Sequence, residues 1–96
     1  ADDWPLTYAD LEPYYSRVEY EIGISGPSGA EANPFDPPRS RPFPLPPFPY
    51  NCASQAIKRG ADRLGLHMVH SPMALPSTPW NGRPASVQCG GCRLGC

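Results

Sequence analysis

The residues best suited to chemistry are cysteines. Three of the four lie in the closing stretch "QCGGCRLGC", as Cys89-x-x-Cys92-x-x-x-Cys96. Thiolates at that spacing have four uses to choose among. A zinc site wants four ligands, commonly from two paired clusters. Three lie together here, and only Cys52, His67 and His70 remain as further donors of the same kind. An iron–sulfur site is the second use, because Cys-x-x-Cys-x-x-x-Cys closes the thiol run that binds bacterial iron–sulfur clusters. The first cysteine of that run is absent, and the sequence stops where the proline after its last would stand. The third is a disulfide framework, for which four cysteines allow three pairings. The fourth is no shared chemistry at all, the cysteines being incidental to a glycine-rich loop. The iron–sulfur reading names Cys89, Cys92 and Cys96 as metal ligands; spacing alone leaves the four uses open.

The other reactive or recognition-type residues carry weaker patterns. His67 and His70 are three apart in a stretch that reads as extended, where they would point to opposite faces. Each alone reads as a surface or hydrogen-bonded histidine. Gly23, Gly26 and Gly29 recur every third residue. They follow a helical pattern and not a strand, so they are not the phosphate-cradling turn of a dinucleotide fold. Arg41, Pro44 and Pro47 have the R-x-x-P-x-x-P spacing read by SH3-type domains. The competing use is that Phe43, Leu45 and Phe48 anchor the proline run onto a larger body. Cys52, at the first turn of a predicted helix, reads as a small packing residue.

Two helices must position these groups. Leu11, Tyr15, Val18 and Ile22 fall at i, i+4, i+7 and i+11, one apolar stripe. Thr7 or Asp10 can cap its start, and Gly23 suits its end. The spacing predicts a helix over about 11–22, with a short turn at 7–10 before it and with Glu12, Glu19, Glu21 and Arg17 toward water. Ala53, Ile57, Ala61 and Leu64 repeat the pattern between Asn51, a good N-cap, and Gly65, a good terminator. This predicts a second helix over about 51–64, in which Gly60 costs about 1 kcal/mol relative to alanine. Between them, "RSRPFPLPPFPY" must be extended, since proline fixes φ and removes donors. Residues 66–70 alternate weakly and suit a short strand, and "NG" at 81–82 marks a turn.

Composition bounds what these pieces can do alone. Proline and glycine make up a quarter of the 96 residues. Leucine, isoleucine, valine and phenylalanine together make up fewer than a fifth. Ordering the backbone costs about 1–2 kcal/mol per residue, and burying a large apolar side chain returns about 1.5–3 kcal/mol. So thin a core predicts a coil-rich, mainly α segment that lies on a larger body. A net charge of −1 gives no drive toward nucleic acid or an anionic membrane, and no apolar run approaches the roughly 18 residues of a span. The absence of an initiator methionine at Ala1 leads to the expectation that the chain was processed or excised, its last residues a stump.

The order of the pieces resembles one internal stretch of the glucose–methanol–choline oxidoreductases. The residues that carry the likeness are Trp4-Pro5…Tyr8-x-x-Leu11-x-Pro13-Tyr14-Tyr15, then Asn33-Pro34-Phe35 with the proline-rich bridge, then Gly82-Arg83-Pro84 before the cysteines. The nearest branch is that of the gluconate, fructose and glucose dehydrogenase flavoproteins. The resemblance implies a parent enzyme with an α/β FAD-binding fold, oxidising a CH–OH group by hydride transfer to the flavin, in a bacterial cytoplasm or periplasm. It implies that residues 1–96 are no complete domain but a bridge between flavin-binding and substrate domains. The remainder of the flavoprotein is then the partner, and FAD is not held by this segment alone. Neither the family's nucleotide-binding glycines nor its catalytic histidine segment has a match here. Some members hold an iron–sulfur cluster near this location, which would map onto Cys89, Cys92 and Cys96. The rival function is a proline-rich ligand for SH3-type domains using Arg41, Pro44 and Pro47.

Overall fold

A computed structural model describes residues 3–89. It contains two α-helices, α1 (Tyr8–Ile22) and α2 (Cys52–Arg63), with a single 3-10 turn at Gly29–Glu31 between them. The rest of the described chain is coil crossed by three isolated β-bridges, so the coil-rich, mainly α expectation holds. The extended stretch 66–70 has no bridge partner; the pairing comes later, at Met73. No helix among the described residues is long and apolar enough to cross a membrane.

Thr7, not Asp10, is the N-cap of α1, and the two form a capping box. Asp10 accepts the Thr7 backbone N–H at 2.8 Å and its hydroxyl at 2.6 Å. The helix therefore begins three residues earlier than the apolar stripe suggests, and Pro13 falls inside it. Its missing N–H would have served the carbonyl of Ala9, an exposed residue, where water can take the bond.

The C-terminus of α1 is closed from far along the chain. Gly23 takes a left-handed φ of +80°, and the N–H of Ile24 returns to the Glu19 carbonyl at 3.0 Å, the six-to-one bond of a Schellman ending. Two carbonyls that the helix leaves open are then met by side chains about sixty residues away. The Trp80 indole donates to the Tyr20 carbonyl at 2.7 Å, and the Arg83 guanidinium to the Ile22 carbonyl at 2.7 Å. A cation there also complements the negative end of the helix dipole. Trp80 and Arg83 exchange both backbone bonds, at 3.0 and 2.8 Å, across Asn81 and Gly82, which both have positive φ. That is the two-residue turn which "NG" predicts. The Trp80 ring lies on Gly23, where a Cβ would sit 2.5 Å from its Cδ1.

Below α1, three passages of chain meet at Ser25. It exchanges backbone bonds with Met73 at 2.9 and 2.8 Å. Leu45 bridges the residues on either side, donating to Ile24 and accepting from Gly26. The Ser25 hydroxyl donates to the Leu75 carbonyl at 2.6 Å and accepts the Ser77 N–H at 2.9 Å. Ser25 is 1% exposed, and Leu45 is the one buried large hydrophobic residue among those described. The proline run is thus pinned at Leu45 onto the chain's own Ile24 and Gly26.

α2 follows its prediction at the ends. Asn51 caps it through the Ser54 N–H at 2.8 Å, and Gly65, at φ +68°, closes a Schellman ending with Leu66 donating to Ala61. Its packed side is not the predicted stripe. Ser54, Lys58 and Ala61 are half-buried, while Ala53, Ile57 and Leu64 are exposed. Cys52, on the opposite side of the first turn from half-buried Ser54, is exposed and not the packing residue expected of it. The two helices do not touch one another.

Candidate functional site

The interface between α1 and residues 39–43 is the most structured polar site among the described residues. It reverses the expected orientation of α1. Glu12 and Ser16 are buried, and Glu19 is largely covered, while Tyr15, Val18 and Ile22 are exposed. Glu12 accepts the Ser40 N–H and hydroxyl, each at 2.9 Å. These bonds, helped by Arg39 and Arg41 nearby, hold its carboxyl below the usual glutamate value of 4.5. Arg41 donates through Nε to the Ser16 hydroxyl at 2.7 Å and lies 3.9 Å over the Tyr20 ring. Arg39 pairs with Glu19 and lies 3.9 Å over Phe43. Phe43 in turn fills the space a side chain at Gly26 would need. Glutamate, serine and glutamate at i, i+4 and i+7 facing two arginines was the sequence signal for this seam. It went unread because charge on a helix was assigned to water. Along the seam Glu19 is ion-paired with Arg39, while Glu12 and Arg41 are held by Ser40 and Ser16, so its chemistry is fastening.

The predicted recognition and metal residues are distributed as follows. Arg41 is spent on Ser16 and Tyr20, and Pro44 and Pro47 are half-buried on either side of buried Leu45. Arg41 as a residue stays exposed at the rim of the seam. Cys89 is exposed; Cys92 and Cys96 lie outside the described residues. Among the described residues, no group of three or more histidine, cysteine, aspartate or glutamate side chains is set to hold a metal ion.

His67 and His70 border one cavity of about 220 Å³ with Tyr50, Lys58 and Asp62. His70 stacks on Tyr50 at 3.7 Å. Lys58 donates to both Asp62 oxygens, at 2.9 and 3.0 Å, and this raises its pKa. A general base needs the opposite shift, toward neutrality. The cavity offers no activated nucleophile beside a base.

The glycines do not fit a flavin. An adenine dinucleotide needs backbone N–H groups free to approach its pyrophosphate at a strand-to-helix turn. Here Gly23 and Gly26 follow a helix, and the rings of Trp80 and Phe43 occupy the space beside them. Sequence reasoning missed the positioning residues Trp80, Arg83 and Ser25. A tryptophan flanking Asn-Gly, with arginine just after it, was the available signal for the first two.

No protein-family model matches the chain. It is 37% identical over 82 residues to the fructose dehydrogenase large subunit of Gluconobacter japonicus, covering 85% of this chain. It is 32% identical over 88 residues to the 2-methyl-1,2-propanediol dehydrogenase of Mycolicibacterium austroafricanum, covering 92% of this chain. To the gluconate 2-dehydrogenase flavoprotein of Pantoea cypripedii it is 31% identical over 88 residues, covering 81% of this chain. The chain spans only about 15% of the length of these relatives. It is therefore similar, over most of its own length, to one stretch of much longer oxidoreductases.

Proposed function

We propose that these residues are one internal stretch of an FAD-dependent dehydrogenase of the glucose–methanol–choline type, acting on the CH–OH group of an alcohol, sugar or sugar acid. Their part in it is structural, bridging the flavin-binding and substrate domains. The observation that carries this reading is the likeness to the fructose dehydrogenase large subunit across 85% of the chain. The geometry supports the structural role. The Glu19–Arg39 pair, the rings seated on Gly23 and Gly26 and the Lys58–Asp62 pair are features of a scaffold. In such an enzyme the flavin accepts the hydride, and it would be held by residues outside this stretch. Cys89, Cys92 and Cys96 are kept as the iron–sulfur ligands of that reading.

The test compares the full reading frame with the 96-residue chain. The purified full-length protein should carry oxidised-flavin absorption that bleaches anaerobically on adding fructose, gluconate or 2-methyl-1,2-propanediol. The short chain mixed with FAD should leave the flavin spectrum unchanged. A colourless full-length protein, or stoichiometric flavin binding by the short chain, overturns the proposal. Iron analysis of the full-length preparation, before and after Cys92→Ser, reports on the cluster separately.

A further inference from the structure

We propose that the outward stripe of α1, centred on Tyr15, Val18 and Ile22, is a permanent docking face for the remainder of the same polypeptide. It rests on the reading of the chain as one stretch of a longer dehydrogenase, and it names the surface by which that stretch is held. Three observations carry it.

The first is the inversion of α1. Glu12, Ser16 and Glu19 are turned inward onto Ser40 and the arginines, while Tyr15 and Val18 stand about half exposed, at 50% and 51%. A helix in water turns its apolar stripe to the core. This one already has its polar side committed, so the stripe is left for something else. Beside it, Tyr14, Phe43 and Pro72 help to line a groove of about 630 Å³.

The second is area. The chain exposes 7415 Å², against about 5,400 Å² for a folded monomer of its mass. The excess, about 2,000 Å² over the whole chain, is of the size of the roughly 1,000–2,500 Å² that each side of a permanent interface buries, and the α1 stripe is one part of it. The radius of gyration, 15.7 Å, likewise exceeds the value of about 12.5 Å for a compact domain of this length.

The third selects the occupant. The relatives are so long that this chain spans about 15% of them, which leaves a large body available on the same polypeptide. A stripe this apolar, bared whenever a separate subunit left, would be an aggregation site, whereas attachment in the same chain keeps the covering surface always at hand. At its rim Glu19 and Arg39 neutralise each other and the Asp36 carboxylate accepts from Asn33, so the surface that fits is mainly aliphatic or aromatic.

The test uses the full-length flavoprotein. Val18→Cys and Arg17→Cys variants are labelled with a maleimide and read peptide by peptide by mass spectrometry. Arg17 is the control, 77% exposed and paired only with Glu21 on the helix surface. The cysteine at 18 should label at least about tenfold more slowly than that at 17, at every protein concentration, and equally fast in denaturant. Equal rates in the native protein overturn the proposal. Protection that fades as the protein is diluted and dissociates also overturns it, by assigning the face to a second copy or another subunit. If Val18→Cys does not fold, hydroxyl-radical oxidation of Tyr14 and Tyr15 in the unaltered protein decides. Protection relative to the denatured protein supports the docking face, and oxidation near the denatured rate refutes it. The flavin spectrum of each preparation reports on the parent function independently, so the failure of one does not hide the other.

Discussion

Replacing Ser25 with alanine should loosen the crossing of three chain passages without touching either helix. Ser25 is 1% exposed, and its one oxygen does two jobs, donating to the Leu75 carbonyl at 2.6 Å and accepting the Ser77 N–H at 2.9 Å. Removing it orphans an acceptor and a donor at once. Each lost hydrogen bond contributes about 0.5–1.5 kcal/mol net, and more if water cannot replace it. Leu75 and Ser77 are half-buried, so partial rehydration keeps the total at about 1–3 kcal/mol. At tenfold per 1.4 kcal/mol, that is an acceleration of about 5- to 140-fold in local opening. Amide exchange at single-residue resolution in the full-length protein is the assay. Ser77 should exchange faster by that factor, and the Met73 and Gly26 amides, which bond within the same crossing, should follow. Ser28→Ala is the control, since Ser28 is exposed and makes no side-chain cap bond. If the Ser77 amide in Ser25→Ala exchanges within about twofold of the unaltered protein, the crossing is not held by this hydroxyl.

Two further outcomes follow from single residues. Gly23→Ala and Gly29→Ala both force alanine into left-handed backbone, φ +80° and +61°, but only at Gly23 does the new Cβ meet a ring, that of Trp80. Gly29→Ala should cost about 1 kcal/mol from the backbone alone; Gly23→Ala should cost more and shift Trp80 fluorescence to the red, and matching spectra and melting temperatures in the two variants would count against the contact. The seam should also weaken in acid: the folded-state pKa of Glu12 lies below 4.5, so the unfolded chain takes up the proton first and the carboxylate's contribution, full above that value, falls away as pH drops through the folded pKa. Ser40 amide protection, taken relative to the intrinsic exchange rate at each pH below 6, should show this loss, and Glu12→Gln should remove it; an unchanged profile in the variant would assign the acid sensitivity elsewhere.

Local structure was legible because local rules decide it. Asn51 and Gly65 bound α2 as capping chemistry predicts, and Asn81-Gly82 forms the turn its φ preferences require. The start of α1 was misplaced because Thr7-x-x-Asp10 outweighs the local cost of Pro13. Orientation was not legible. Both apolar stripes were found at helical spacing, yet neither faces the described body: Ile57 and Leu64 of α2 are as bare as Tyr15 and Val18 of α1. Periodicity tells which residues share a side. It says nothing of which side is turned inward when the covering surface belongs to other residues. The site suffered the same blindness, since Trp80, Arg83 and Ser25 act across fifty or more positions, and no local pattern encodes a partner so distant. Cys89 is exposed, and its companions Cys92 and Cys96 lie outside the described residues.

The division of labour between polar and apolar groups explains how so lean a chain keeps one shape. With Leu45 the one large hydrophobic residue buried among those described, burial there contributes about 1.5–3 kcal/mol, little against the ordering of many residues. Directional bonds fix the path instead: Ser25 at the crossing, the Glu12–Ser40 and Ser16–Arg41 contacts along α1, and the Trp80 and Arg83 donors at its end. Such bonds specify geometry better than they add net stability, because each replaces a bond to water. The missing stability has to come from apolar area, and the apolar area this chain still has lies on its outside. A stretch built this way holds its shape through its own polar contacts and its stability through the surface it covers. Loss of that covering should therefore unfold α1 before it disturbs the crossing at Ser25.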